Sequence, residues 1–497
     1  MVTIPRVASP GTSQNRAWLG HVILVAVPLV LLALLWAFVR ADPAPGISVS
    51  NGPYTDEAWD VINARNLVLL GRWSTDDWNL HLVNVPFSAI QAAVFTVAGV
   101  GIAQARYVSI AATVITMLAL GFGLRRRLGL EAALLATAAY GGSTLVLFYG
   151  RLAFLEPTVA MWLTLGGLLT LRARDVRSGR WGLLAGVALA LAIGTKPSAA
   201  VAVVGVLSGL AVVGHRPGPV RRWVVAAATV IGVAGVAWIA LIGLPNLAAV
   251  RTDLRIWPSE PILSSLGGIL HEVVTFPTRS DGFFVLAAPI LVTGVAGLVL
   301  AVRARGSMPP ELLGLFAATT GWLILGLGLL SVAPYRPNRY EVPMLPALAI
   351  MSGIGLWALG TLAGSWSLLR MRAVASVLVL VLVAPGLVSY AQWMRAATYR
   401  LPDIQAAVAA AIPAGSVVQG LIAPAFALQA PVVTIVSRPP TQVNPGDLYA
   451  MRGVRWYVGA DGSAPQWAAL HPEAWAARST VLCARWGSEN DCVWHLP

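Results

Sequence analysis

The sequence predicts a polytopic α-helical membrane protein closed by a small α/β domain at its C-terminus. Three observations carry this expectation. Of 497 residues, 57% are hydrophobic and 11% charged, more apolar surface than a soluble fold can bury. Apolar runs long enough to cross about 30 Å of hydrocarbon recur up to residue 390. After residue 391 short β-type runs alternate with helical ones, as in a small α/β unit.

Taken in order, the first apolar run covers 18–39. Arg6 and Arg16 precede it and no small-residue cleavage site follows, so it reads as an uncleaved first helix. A polar segment, 41–104, comes next and holds two semi-apolar helices, 57–70 and 86–100. Both are expected to lie in the membrane interface. The first places Asp56, Asp60 and Asn63 on one helical face. Further spans are expected at 106–124, 131–149, 157–172, 182–195, 198–214, 222–244, 283–302, 312–332, 343–362 and 373–390. In the tail, a helix is expected over 403–412, strands at 416–420, 432–436, 454–458 and 480–483, and a further helical stretch at Trp475–Arg478. The chain thus divides into a transmembrane domain, 1–390, and a C-terminal domain, 391–497.

Arginine placement sets the orientation. The net charge is +13, but the arginines cluster in short loops between apolar runs. That pattern signals membrane topology and argues against a nucleic-acid surface. Counting 86–100 as non-crossing puts Arg125–Arg127, Arg172–Arg180, Arg216–Arg222, Arg303/Arg305 and Arg370/Arg372 on the inside with the N-terminus. The result is about eleven spans, N-inside and C-outside, in the plasma (inner) membrane. Two cysteines, Cys483 and Cys492, would then lie outside. They form either a hairpin-closing disulfide or two buried thiols. No cysteine spacing of zinc type is present.

The outer face collects the chemistry. Asp56, Glu57, Asp60, Arg151, Glu156, Lys196, Tyr335, Arg336, Arg339 and Tyr340 come from four outer loops. Ionisable groups at the edge of a span are costly and usually serve a site or pathway. Carboxylates here could take a proton from an attacking hydroxyl, and cations could hold a phosphate. Lys196 is the one lysine among 34 basic residues, where a compact ammonium is wanted. Plainer readings stand beside these. Asp56 and Glu57 could favour a helix N-terminus, Glu156 could do so ahead of Pro157, Arg151 could pair with Glu156, and Lys196 could snorkel. His81 and His271-Glu272 read more simply as solvated or structural than as ligands. Trp73, Trp78 and Trp257 read as interface anchors before sugar platforms.

The motifs Tyr54-Thr55-Asp56-Glu57-Ala58, Gly71-Arg72-Trp73, Gly150–Pro157, Gly194-Thr195-Lys196-Pro197, Tyr335–Tyr340 and Pro343-Met344-Leu345-Pro346 together resemble the membrane glycosyltransferases of the GT-C fold. The branch they resemble contains protein O-mannosyltransferases and the aminoarabinose transferase that modifies lipid A. The resemblance implies an inverting glycosyltransferase that uses a polyprenyl-phosphate sugar donor and a lipid, glycan or protein acceptor. By the same resemblance Asp56 is the catalytic acid position with Glu57 its neighbour, and Glu156 is a second carboxylate. Lys196, Arg339 and Tyr340 lie near the lipid phosphate, with Arg336 and Arg151 as further cations. Where relatives often carry His-Pro-Pro or Glu-Lys-Pro, this chain has Leu82-Val83-Asn84-Val85-Pro86. No metal site is assigned, and a divalent ion stays an open alternative to be met by Asn84 or His81. A polyprenyl-lipid flippase or transporter and a non-catalytic envelope scaffold are the competing classes. Charge-poor span interiors argue against the former, and the retained acids and lone lysine against the latter.

Overall fold

The computed structural model describes residues 10–44, 55–73, 84–213, 222–247, isolated residues within 267–275, 286–332, 337–364, 367–435, 453–460, 468–486 and 489–497. The chain is mainly helical. Helix α1 spans Pro10–Ala37, and the short helices α2 (Thr55–Trp59), α3 (Ile62–Leu70) and α4 (Val85–Ala98) follow. Then come α5 (Ile102–Leu128), α6 (Leu130–Gly141), α7 (Thr144–Tyr149), α8 (Leu155–Asp175), α9 (Gly179–Thr195), α10 (Ala199–Val213) and α11 (Arg222–Trp238). The bundle closes with α12 (Ala288–Arg303), α13 (Pro310–Val332), a 3₁₀ turn at Asn338–Met344, α14 (Leu345–Ala363) and α15 (Leu368–Arg395). Among the described residues six helices are long and apolar enough to cross a membrane, and five shorter apolar helices accompany them.

Two expected elements are broken. The segment 57–70 forms two helices rather than one, because the chain turns at Asp60 and Val61 between α2 and α3. The segment 131–149 is interrupted at Gly142 and Ser143. There Gly386 of α15 lies so close to the Gly142 carbonyl that any Cβ at 386 would collide with it. Elsewhere glycines bring helices together: Gly205 and Gly209 of α10 meet Gly321 and Ala317 of α13 backbone to backbone, the close approach that small residues allow between apolar helices.

The tail continues with α16 (Arg400–Ala411), β1 (Val417–Gln419), α17 (Ala423–Phe426), β2 (Val433–Ile435), β3 (Trp456–Ala460), α18 (Pro472–Ala476), β4 (Ser479–Trp486) and β5 (Glu489–His495). The strands form one sheet in the order β2-β1-β3-β5-β4. β2, β1 and β3 run parallel, and β5 and β4 complete the sheet antiparallel. The hydrophobic-alternation reading misses β5. Cys483 and Cys492 face each other across the β4–β5 hairpin and are joined by a disulfide.

The apolar core does not divide at residue 390. Ala58, Val61, Phe87 and Phe95 of α2–α4 share one buried cluster with Leu401, Val408, Val418, Phe426 and Val458 of the tail. The sheet domain therefore rests on the same short helices that carry Asp56 and Glu57.

Candidate active site

The site lies at the end of the bundle where α1 finishes and α5, α8 and α14 begin. Adjacent residues of a helix project roughly 100° apart, and α2 uses this to send its two acids in different directions. Glu57 is fully buried. Its two oxygens accept from Arg106 Nε at 2.7 Å and Nη2 at 2.8 Å, and Oε1 also accepts from the Ala153 backbone N–H at 2.9 Å. Arg106 Nη1 donates to the carbonyls of Val39 (2.8 Å) and Ala41 (2.6 Å). Arg151, equally buried, donates to Phe38 (3.3 Å), Ala41 (2.8 Å) and Asp42 (2.7 Å) and lies 4.3 Å over the Trp393 ring. These guanidiniums satisfy carbonyls that the end of α1 leaves without intrahelical donors. Arg151 is thus placed against backbone carbonyls and Trp393, and Glu57 against Arg106.

Asp56 faces the other way. Its Oδ2 is 2.5 Å from Arg339 Nη2. Glu156, in the first turn of α8 and almost wholly buried, binds Lys196 Nζ through Oε1 at 2.6 Å, with Arg339 Nε 3.7 Å from the same oxygen. Lys196 ends α9 in extended conformation, and its ammonium sits 3.3 Å over the Tyr340 ring. The Arg339 guanidinium is 5.3 Å from both the Phe154 and Tyr340 rings. The second oxygen of Glu156, Oε2, is buried with no hydrogen-bond partner among the described residues. An unsatisfied buried carboxylate oxygen is costly and calls for an explanation. Asp60, half-buried one turn after Asp56, completes the group. Burial raises its carboxyl well above the usual range, Glu156 and Asp56 raise it further, and Arg339 and Lys196 oppose them. Asn84 Nδ2 donates to the Asp60 carbonyl at 3.0 Å.

The structure therefore brings Asp56, Glu156, Lys196, Arg339 and Tyr340 together and places Glu57 and Arg151 in a separate buried network behind them. Arg336, Tyr335, His81, Trp78, Trp257 and Glu272 lie outside the described residues. His271 is exposed on a short helical segment. Among the described residues no three His, Cys, Asp or Glu side chains are grouped to hold a metal ion.

Three residues that sequence reasoning left unnamed hold this arrangement. Arg106 was legible in part, as an arginine inside an apolar run instead of a loop. Arg65, fully buried in α3, donates to Leu428 O (2.9 Å), Ala427 O (2.9 Å), Ala430 O and Asn66 Oδ1 (2.6 Å). It grips the turn after α17, where carbonyls point out of the helix end. Asp42 accepts from Thr398 Oγ1 (2.6 Å) and from the N–H groups of Arg400 (2.9 Å) and Leu401 (3.0 Å), an anion at the N-terminus of α16. No local pattern announces either residue.

The model of the dolichyl-phosphate-mannose-protein mannosyltransferase family matches residues 85–241. This stretch includes Arg106, Arg151, Glu156 and Lys196. No curated protein matches the chain. ArnT from Cupriavidus metallidurans in the apo state superposes with a TM-score of 0.62 at 18% identity, covering 97% of this chain and 98% of that one. The fold is GT-C. ArnT bound to undecaprenyl phosphate gives a TM-score of 0.61 at 16% identity, over 96% and 98% of the two chains. The archaeal oligosaccharyltransferase AglB from Archaeoglobus fulgidus, in complex with an inhibitory peptide and a dolichol-phosphate, gives 0.53 at 13% identity, over 88% and 69%. In this GT-C protein the bundle and the tail sheet together span nearly the whole of ArnT.

Proposed function

We propose that this protein is an inverting glycosyltransferase. It moves a sugar from a polyprenyl-phosphate-linked donor to an acceptor hydroxyl on the outer face of the plasma membrane. The observation that carries the reading is the group in which Arg339 bridges Asp56 and Glu156, Lys196 binds Glu156, and one buried oxygen of Glu156 has no hydrogen-bond partner among the described residues. The chemistry of transfer needs those parts. Lys196 and Arg339, with Tyr340 beside them, hold the phosphate. The ArnT and AglB structures that carry undecaprenyl phosphate and dolichol-phosphate support this assignment by analogy of fold. Glu156 Oε2 accepts a hydrogen bond from a sugar or acceptor hydroxyl.

The reaction is one displacement. Arg339 moves its attraction from Asp56 to the arriving phosphate, which leaves the Asp56 carboxylate open to a proton. The acceptor oxygen forms a bond to the anomeric carbon as the carbon–oxygen bond to phosphate breaks. Phosphate leaves with the electron pair, stabilised by the two cations, and Asp56 takes the hydroxyl proton. No general acid is needed, because phosphate is already a good leaving group. Glu57 and Arg151 act from behind. They set the position of α2 against α5 and α8 and touch no substrate. The tail domain, resting on α2–α4, borders the acceptor side. Purified protein supplied with radiolabelled polyprenyl-phosphate mannose, the sugar of the matched family model, tests the reading. Asp56→Ala is expected to slow transfer by roughly 10²-fold or more. Transfer at the full rate by that variant would overturn the assignment of the base.

A further inference from the structure

Asp42 is a buried acid that the displacement described above does not use. It lies just past the end of α1, and Pro43 after it disfavours helical backbone at this position. Its carboxylate is turned toward the tail. Oδ2 accepts from Thr398 Oγ1 at 2.6 Å and from the Arg400 N–H at 2.9 Å, and Oδ1 accepts from the Leu401 N–H at 3.0 Å. Arg400 and Leu401 open α16, whose own N-cap residue, Tyr399, makes no side-chain cap. Two of the donors that a helix start leaves free are thus satisfied by an acid 358 positions away from the first of them.

The backbone of the same residue carries the link onward. The peptide unit joining Ala41 to Asp42 is a rigid plane. Its N–H donates to the Thr398 carbonyl at 2.7 Å, and its oxygen accepts from Arg106 Nη1 at 2.6 Å and Arg151 Nη1 at 2.8 Å. The Asp42 carbonyl accepts from Arg151 Nη2 at 2.7 Å. A tilt of this plane that loosened Thr398 would also re-aim the oxygen held by the two arginines. Arg106 in turn binds both oxygens of Glu57, at 2.7 and 2.8 Å, and Glu57 is the neighbour of Asp56 on α2. Ala41, Asp42, Arg106 and Glu57 are all buried, where water does not compete for these hydrogen bonds and each is stronger than in solvent.

We propose that Asp42 is a positioning residue for Asp56, coupling the seat of the tail domain to the aim of the helix that carries the base. A simple anchor for the tail would account for the carboxylate contacts. It would not account for the two carbonyls at Ala41 and Asp42 that hand the tie on to Arg106 and Arg151. The proposal rests on the transferase reading and extends it to how the base is held. A misplacement of about 1 Å at reacting groups can slow a reaction by about 10²-fold, so the coupling acts on kcat. Donor binding is a separate matter, because Lys196 and Arg339 are held by Glu156 and Asp56 and neither belongs to this chain of contacts.

The test uses the full-length protein in lipid nanodiscs with radiolabelled polyprenyl-phosphate mannose. It compares Asp42→Ala with Cys483→Ser, which loosens the tail at the β4–β5 hairpin and removes none of these contacts. Asp42→Ala is expected to lower kcat roughly 10- to 100-fold with the donor KM within about threefold of the unmodified protein. Cys483→Ser is expected to keep both within about twofold. Amide exchange adds a readout that needs no turnover. Asp42→Ala is expected to speed exchange roughly tenfold or more at Arg400 and Leu401, and equally at two amides on the far side of the link. These are Asp60, whose N–H donates to the Asp56 carbonyl, and Ala153, whose N–H donates to Glu57. Where Asp42→Ala does not fold, Thr398→Val takes its place. It removes one donor to the Asp42 carboxylate, and the same pattern is expected with kcat lowered about threefold.

Faster exchange confined to the start of α16, with Asp60 and Ala153 unchanged, overturns the coupling. An unchanged kcat does so too, as does a Cys483→Ser protein that loses kcat to the same extent. An unmodified protein that transfers no polyprenyl-phosphate sugar overturns the transferase reading and with it Asp56 as base. Exchange at Asp60 and Ala153 then still decides whether Asp42 joins the tail to α2.

Discussion

Glu57→Ala and Asp56→Ala should behave in opposite ways although the two residues are neighbours. Glu57 is fully buried, and both its oxygens are bound by a fully buried Arg106 at 2.7 and 2.8 Å. Removing the carboxylate leaves a desolvated guanidinium with only the Val39 and Ala41 carbonyls and strips the Ala153 N–H of its acceptor. Breaking one side of such a pair costs about 3–5 kcal/mol, a large share of the roughly 5–15 kcal/mol that holds a domain folded. The Asp56–Arg339 pair is partly open to solvent, with side chains 21% and 12% exposed. Screening holds its value to about 1 kcal/mol or less.

The thermal unfolding midpoint of the detergent-solubilised protein should therefore fall sharply for Glu57→Ala and little for Asp56→Ala, while single-turnover transfer should slow by roughly 10²-fold or more for Asp56→Ala. A cycle with Arg106→Met separates structure from chemistry. The double variant Glu57→Ala/Arg106→Met removes both charges and should recover much of the lost stability. A Glu57→Ala protein that melts with the unmodified one yet transfers no sugar would refute the division of labour and place Glu57 at the reacting atoms.

Other expectations are more local. Lys196→Ala removes the ammonium bound to Glu156 and seated on Tyr340; the donor KM should rise about 10- to 100-fold in steady-state assays, the value of a charge-assisted hydrogen bond. Lys196→Arg should restore this only in part, because a planar fork does not fit the space of a compact ammonium over the ring. Arg65→Met strands the carbonyls of Ala427, Leu428 and Ala430, at about 1–3 kcal/mol for each group left unsatisfied; limited proteolysis should then cut the tail domain much faster, with Arg65→Lys intermediate. Cys483→Ser should destabilise the β4–β5 hairpin by about 2–3 kcal/mol, seen as faster amide exchange in residues 479–495 with exchange in α5 and α8 unchanged.

The sequence by itself marked out the apolar helices and the strands β1 to β4, and it named Asp56, Glu156, the lone lysine and the Arg339–Tyr340 pair as candidates, which the structure brings together. Each of these is written locally. Hydrophobic runs report which segments avoid water, and a rare lysine or an acid at the edge of a span is costly enough to stand out. The breaks at Asp60–Val61 and Gly142–Ser143 were not legible. The second depends on Gly386, some 240 residues away, approaching the Gly142 carbonyl. β5 was missed because Glu489, Asn490 and Asp491 open it, and polar residues there read as a turn until β3 and β4 supply partners on both sides.

Only the tertiary structure decided which acid faces the cations. The family resemblance sets Asp56 apart as the catalytic position and Glu57 as its neighbour, but it does not say what holds either of them. What separates them is Arg106 in the core on one side and Arg339 at the site on the other, and both partners come from distant helices. The same holds for Arg65, whose guanidinium reaches Leu428 across 363 residues of chain. Charge placement in an apolar bundle is a matter of finding the few polar partners available. Those partners are chosen by packing, which local pattern does not encode.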